Sequence, residues 1–177
     1  MAKIGRDKAH LAAIELLAMD LDGVLTDGSI IINADGSESK KFSLLDGHGI
    51  RMWHRATLQT AVISGRETSA TKVRTEQLQI GYVFQNCHQK LDAFEKLVEQ
   101  SGISAEKIAY MGDDLLDLPI LRRVGFAVAV ADAVDEVKEQ ADYITRRKGG
   151  CGAVREVVEY LLKQSGRWAE LMERYLV

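Results

Sequence analysis

The chain has 177 residues, 46% of them hydrophobic, which is enough to bury a real core. No run approaches the ~20 apolar residues that a membrane span requires, and a net charge of −3 provides no basic field for nucleic acid or a membrane surface. Residues 1–10 are charged and carry no apolar signal-peptide core, so a cytoplasmic protein is expected, binding neither nucleic acid nor membrane.

The first predicted strand, 14–19, runs directly into Asp20-Leu21-Asp22-Gly23-Val24-Leu25-Thr26-Asp27-Gly28. Residues i and i+2 of a strand point to one side, and the glycine-bearing turn lets backbone wrap a small ligand closely. Two carboxylates held that near repel unless a cation bridges them, which favours Mg2+ and its hard oxygen ligands. The plainer reading is a pair of solvated turn residues at a strand end.

Residues 29–43 read as a β-hairpin: Ser29-Ile30-Ile31-Ile32 and Ser37 to Ser43 flank a turn that contains Asp35-Gly36. The isoleucine run is apolar on both faces, so it needs a cover, either its own domain or, as we expect, a second subunit. The loop Asp46-Gly47-His48-Gly49 is placed beside the site, with helix 49–57 after it. His10, His48, His54 and His88 lack metal-ligand spacing, and Cys87 and Cys151 lack the spacing of a zinc site or disulfide framework.

Strand 59–63 leads into Ser64-Gly65-Arg66, a hydroxyl and backbone N–H groups placed to hold phosphate oxygens. Helix 68–77 and strand 82–84 precede Lys90, which opens helix 89–100. Strand 108–111 then runs into Gly112-Asp113-Asp114-Leu115-Leu116-Asp117 at the start of helix 115–123, with Asp113 and Asp117 one helical turn apart. Each piece alone has a bland reading as a turn, a solvated lysine or a helix cap; their conjunction in this order argues for one site. Strands 126–130 and 143–145 and helices 134–140 and 153–163 complete an alternation expected to give an α/β fold, a single three-layer Rossmann-like domain over 1–177 with a mainly parallel sheet. Motif residues fall at carboxyl ends of strands, where such sheets bind ligands.

These four pieces resemble the four motifs of the haloacid dehalogenase superfamily. The resemblance implies Asp20 as nucleophile, Asp22 as general acid and base, Ser64 and Lys90 as stabilisers of the transferring phosphoryl group, and Mg2+ on Asp20, the Asp22 carbonyl and Asp113. Gly65, Asp114 and Asp117 support them. Residues 23–63 and 65–89, 41 and 25 residues long, leave no room for a cap domain at either usual insertion point. Phosphoryl chemistry gains from excluding water, so a neighbouring subunit is the expected lid. A receiver-like signalling domain also pairs a strand-end Asp with Ser, Lys and Mg2+, but Asp22 argues for turnover of the phosphoenzyme.

Capless members with this hairpin resemble a narrower family, the phosphatases of 3-deoxy-D-manno-octulosonate 8-phosphate in lipopolysaccharide synthesis. The match rests on 20–28, Leu45 to Ile50, Gly112 to Leu118 and Gly149-Gly150-Cys151-Gly152-Ala153-Val154-Arg155-Glu156. It implies substrate contacts from Ser43, Leu44, Leu45, Asp46, Gly47, Arg51, Arg66 and Arg74 beside Asp22 and Lys90, an acidic sugar phosphate as small-molecule partner, and a homotetramer; the tail, 164–177, carries an apolar stripe at helical spacing that either caps its own domain's core or, as the resemblance implies, covers a neighbour's site. Arginine suits such a substrate because its forked donors match carboxylate and phosphate. The alternative within the family is a nonulosonate 9-phosphate, against which Arg66 argues. Two departures stand out: Ser64 replaces the more usual Thr, and Gln85-Asn86-Cys87-His88 replaces a glycine-bearing loop.

Overall fold

The computed structural model describes residues 7–177; residues 1–6 of the charged N-terminal segment lie outside them. Six parallel strands form the central sheet: β1 (Leu16–Met19), β4 (Gln59–Ile63), β5 (Tyr82–Phe84), β6 (Ile108–Gly112), β7 (Phe126–Ala129) and β8 (Tyr143–Ile144). Their order is β5-β4-β1-β6-β7-β8. β1 lies between β4 and β6, with Met19 paired to both Val62 and Met111. Every residue of β1, β6 and β7 is buried, as expected of parallel strands covered by helices on both faces. The strand-order reversal beside β1 brings the ends of β1, β4 and β6 together at one edge.

Helices α1 (Lys8–Ala12), α2 (Leu44–Arg55), α3 (Ser69–Leu78), α4 (Lys90–Ser101), α5 (Leu118–Leu121), α6 (Asp135–Gln140), α7 (Ala153–Gln164) and α8 (Trp168–Glu173) flank the sheet. α7 buries Val154, Val157, Val158, Leu161 and Leu162 and packs on α2. Between Asp22 and Ser64 lie only the hairpin, α2 and β4; between Ser64 and Lys90 lie only α3 and β5.

The structure departs from the sequence expectation at α2, which begins at Leu44 and absorbs the stretch 46–49 expected to be a loop. Ser43 caps it, its Oγ accepting the N–H groups of Leu45 (3.1 Å) and Asp46 (3.4 Å). The glycines there serve packing and not a turn. A Cβ on Gly47 would lie 2.6 Å from Arg74 Nη2 and one on Gly49 2.9 Å from Arg155 Cα. The expected helix 115–123 is likewise shorter, a 3-10 turn at Leu115–Asp117 followed by α5 with Pro119 in its first turn.

The hairpin forms, with β2 (Ile31–Ile32) antiparallel to β3 (Glu38–Ser39), but each strand has two residues and pairs only with the other. Ile30, Ile31 and Ile32 are exposed within the chain, Ile32 at 72%. The C-terminal residues pack on their own chain: Trp168 and Leu171 rest against the core, and Tyr175 reaches back to α2.

Candidate active site

Asp20 follows the last residue of β1, its N–H bonded to the Met111 carbonyl (3.0 Å) and its Oδ1 accepting the Leu21 N–H (2.6 Å). The chain then turns sharply through Gly23, whose φ is +88° and whose Cβ would collide with the Asp113 carboxylate at 2.0 Å. Buried Thr26 fastens this turn, its Oγ1 accepting the N–H groups of Gly23 and Gly28, both at 3.2 Å. The glycine pair near the C-terminus lies on the outside of the same turn: a Cβ on Gly149 would sit 1.7 Å from the Gly23 carbonyl oxygen. The 149–152 signature is therefore the backing of the catalytic turn.

Lys90, 4% exposed, stands at the start of α4 and bridges Asp20 Oδ2 (2.6 Å) and Asp117 Oδ1 (2.7 Å). The buried Tyr110 hydroxyl donates to the same Asp117 oxygen (2.7 Å), and Asp117 Oδ2 accepts the N–H groups of Asp113 (2.9 Å) and Asp114 (3.3 Å). Asp117 thus ties Lys90 to the loop carrying Asp113. Burial pushes the Lys90 ammonium down, but the Asp20 and Asp117 carboxylates more than offset this, so Lys90 is held charged. Ser64 ends β4, its Oγ donating to the Arg66 carbonyl (3.1 Å) and accepting the Arg66 N–H (3.2 Å).

Asp20, Asp22, Gly28, Ser64, Gly65, Arg66, Lys90, Asp113, Asp114 and Leu116 line one cleft of about 270 Å³. Burial, then the Asp117 charge, raises the Asp20 carboxyl to about 7; burial, then Asp20, raises Asp113 to about 8. Asp113 Oδ1 and Asp22 Oδ2 are buried and have no hydrogen-bond partner among the described residues. Carboxylates of Asp20, Asp113 and Asp117 approach within 4.8 Å of one another. Asp117 is saturated by Lys90, Tyr110 and two backbone donors, and each Asp20 oxygen has one partner, so the open oxygen beside the Asp20 carboxylate is Asp113 Oδ1. A hard dication fits this donor set, since it neutralises charge that burial alone suppresses.

The structure does not bring every expected residue to this cleft. Asp46 is buried elsewhere, its carboxylate accepting the N–H groups of Gly152 (3.0 Å) and Arg155 (2.9 Å) at the start of α7, so its oxygens are spent on a helix N-terminus. Leu44 is 85% exposed and faces a groove with Phe42, Val73 and Arg74. Leu45 borders a different one with Arg146 and Arg155. Gly47 packs against Arg74. Arg74 stacks over Phe42 with its Nη2 near the Ser43 carbonyl (3.4 Å), and its buried Nε has no partner. Burial, then the charge of Arg51, lowers the Arg74 guanidinium. Arg51 and Arg74 are thus two neighbouring cations outside their own chain's cleft. His48, expected in a loop beside the site, lies on α2 between Tyr175 Oη (2.9 Å) and Arg155 Nη1 (3.1 Å) and does not line the cleft.

Two hairpin residues escaped the sequence reading. The Lys40 side chain, largely covered, forms an ion pair with Asp22 Oδ1, and Glu38 Oε1 accepts from Arg66 Nη2 at 2.5 Å. The Lys40-Lys41 pair was the only signal, and it looks like a solvated edge. The atypical 85–88 stretch has a simple account: Asn86 adopts φ +58°, the left-handed conformation that asparagine tolerates in place of glycine.

The haloacid dehalogenase-like hydrolase family profile matches residues 66–157. The 3-deoxy-D-manno-octulosonate 8-phosphate phosphatase KdsC of Escherichia coli K12 is 44% identical over 157 residues, 89% of this chain and 84% of that protein. Among solved structures, a probable YrbI family phosphatase from Pseudomonas syringae superposes with a TM-score of 0.93 at 44% identity, covering 96% of this chain and 97% of the other. The 3-deoxy-D-manno-octulosonate 8-phosphate phosphatase of Moraxella catarrhalis, solved with magnesium, phosphate and the sugar acid, gives 0.92 at 36% identity, covering 95% and 97%.

Proposed function

The chain belongs to the haloacid dehalogenase-like hydrolases, and from that membership and its cleft we propose that it is a Mg2+-dependent phosphatase of 3-deoxy-D-manno-octulosonate 8-phosphate. In this reading it acts as a single domain in the cytoplasm, in lipopolysaccharide synthesis. The carrying observation is the Asp20 carboxylate held by Lys90 at 2.6 Å beside an unpartnered Asp113 oxygen, with Asp22 in the same cleft.

Asp20 attacks phosphorus, the bond from phosphorus to the sugar oxygen breaks, and Asp22 gives its proton to the departing alkoxide. Asp22 then takes a proton from water, which displaces Asp20 and releases phosphate. Lys90 holds the Asp20 carboxylate in line, and the Ser64 hydroxyl with the Gly65 and Arg66 backbone surrounds the phosphoryl oxygens. Asp20, the Asp22 carbonyl and Asp113 would hold Mg2+, which would supply neutralisation of charge between anionic nucleophile and anionic substrate. Asp114 and Asp117 fix the Asp113 loop.

Arg66, in the cleft and half exposed, is placed to take the carboxylate that distinguishes a sugar acid phosphate from a plain phosphate ester. We assign the remaining contacts, Arg51, Arg74 and residues 43–47, to a neighbour's cleft within a homotetramer. The neighbouring charges of Arg51 and Arg74 and the exposed isoleucines of the hairpin support this assembly. Phosphate release measured across a panel of sugar phosphates, with and without EDTA, tests the assignment. Preference for the eight-carbon acid, abolished by EDTA, is expected; equal turnover of neutral hexose phosphates would refute it. Light scattering on the intact protein tests the tetramer.

A further inference from the structure

Arg66 is the cleft's half-exposed cation, yet it is not free. Glu38, carried on β3 across the mouth of the cleft, places Oε1 2.5 Å from Arg66 Nη2. A carboxylate therefore already sits where the preceding section puts the substrate's carboxylate. A guanidinium grips a carboxylate best through two parallel N–H donors, and while Glu38 holds Nη2 one donor of the end-on fork is taken.

The contact is built to be released. Glu38 Oε2 is buried and has no hydrogen-bond partner among the described residues, so only half of this carboxylate is compensated by them. Its strand is two residues long and, among the described residues, pairs only with β2, Ile31 with Ser39 and Ile32 with Glu38, apart from the central sheet's ladder. Segments with few buried contacts open locally at small cost. The Arg66 side chain is 45% exposed, so the pair is worth little in free energy.

We propose that Glu38 is a specificity-determining residue, an internal carboxylate that occupies Arg66 until the carboxylate of an acidic sugar phosphate displaces it. The proposal rests on the substrate reading above. A ligand without a carboxylate gains nothing from Arg66, because removing Glu38 returns no contact. A sugar acid exchanges one carboxylate for another and recovers the full fork.

The test is steady-state kinetics of wild type, E38Q, R66A and the double variant on 3-deoxy-D-manno-octulosonate 8-phosphate and on p-nitrophenyl phosphate. E38Q keeps the shape of the side chain; E38D, too short to reach Arg66, is the second probe. Expected is a threefold to fivefold lower KM for the acidic substrate in both, the range a half-exposed pair supports. Inhibition by the free sugar acid should tighten in parallel, the aryl phosphate should change less than twofold, and E38Q should have no effect in the R66A background. A raised KM would show that Glu38 orients Arg66 productively, and equal shifts on both substrates would show a role in hairpin stability; either result, or no change, overturns the proposal while leaving the substrate assignment standing. A wild-type protein that hydrolyses the aryl ester and spares the sugar acid phosphate overturns both.

Discussion

The buried ion cluster at the base of the cleft and the hairpin at its mouth carry charge in opposite ways. Below, Asp117 accepts from Lys90, Tyr110 and two backbone N–H groups, and none of its oxygens is left over. Above, Glu38 reaches Arg66 from the two-residue β3, and Lys40, just past that strand, reaches Asp22. Around Asp117 the buried network is fully satisfied, which holds Lys90 and the Asp113 loop in place, while Asp113 Oδ1 beside it, with no partner among the described residues, is left for a cation. The Glu38–Arg66 pair lies near solvent, where such pairs form and break cheaply. Chemistry is placed in the rigid region, and choice of substrate in the yielding one.

The largest effect should come from the rigid side. Asp20→Asn removes the nucleophile while keeping volume and the Leu21 hydrogen bond, so turnover should fall by more than ~1,000-fold with the fold retained. Retention of a tenth of the wild-type rate would refute Asp20. Asp22→Asn should instead let aspartyl phosphate accumulate, detectable by acid trapping in a single turnover. Lys90→Ala uncovers Asp20 and Asp117 in a buried site, and breaking such a pair costs about 3–5 kcal/mol; urea denaturation should show it, together with loss of activity.

At the mouth the effect is smaller and selective. Arg66→Ala should weaken kcat/KM for the acidic sugar phosphate by about 2–3 kcal/mol, roughly a hundredfold. Hydrolysis of an aryl phosphate should change much less. Equal losses on both would place Arg66 on the phosphate and dissolve the contrast between the two regions.

The raised carboxyls give the base a pH signature. Asp20 near 7 and Asp113 near 8 stand above their usual 3.8, so without metal their contribution to stability is complete at low pH and is lost as pH rises through 7 and 8. The metal-free melting temperature should fall from pH 6 to pH 9. Mg2+ needs both groups ionised, so it binds more tightly and raises the melting temperature more at pH 8 than at pH 6. An Mg2+ effect independent of pH would mean that the ion sits elsewhere.

Most of the base was legible because strand ends are. Asp20, Ser64 and Asp113 each follow an apolar run, and parallel pairing brings such ends together whatever the intervening helices do. What stayed hidden depends on packing between distant segments. Gly47 and Gly49 look like loop residues and are helix positions where Arg74 and Arg155 press close. Tyr110 reads as one more apolar strand residue, yet its hydroxyl completes Asp117. Asp46 reads as a site acid, yet it caps α7. Glu38 and Lys40 matter only because the hairpin folds back over the cleft, and nothing in a two-residue strand encodes that direction.

The smallest effect belongs to the C-terminus, for which the sequence leaves open a cap on its own domain or a cover for a neighbour's site, and which within the chain lies against α2. Tyr175 Oη bonds His48 Nε2 at 2.9 Å and accepts from Arg55 Nη1 at 2.6 Å, with the His48 and Tyr175 rings edge to face at 5.8 Å. Burial, then the Arg155 charge, lowers the His48 imidazole, so its contribution to stability is present at neutral pH and lost on acidification below the usual 6.5. Tyr175→Phe removes only the hydroxyl and should cost about 1 kcal/mol, a fall of ~2–4 °C in melting temperature at pH 7.5. If the tail only caps its own domain, KM for the sugar acid phosphate stays within twofold of wild type. A KM raised more than fivefold with an unchanged melting temperature would instead put Tyr175 over a neighbouring cleft, and would move the tail from the rigid side of the comparison to the yielding one.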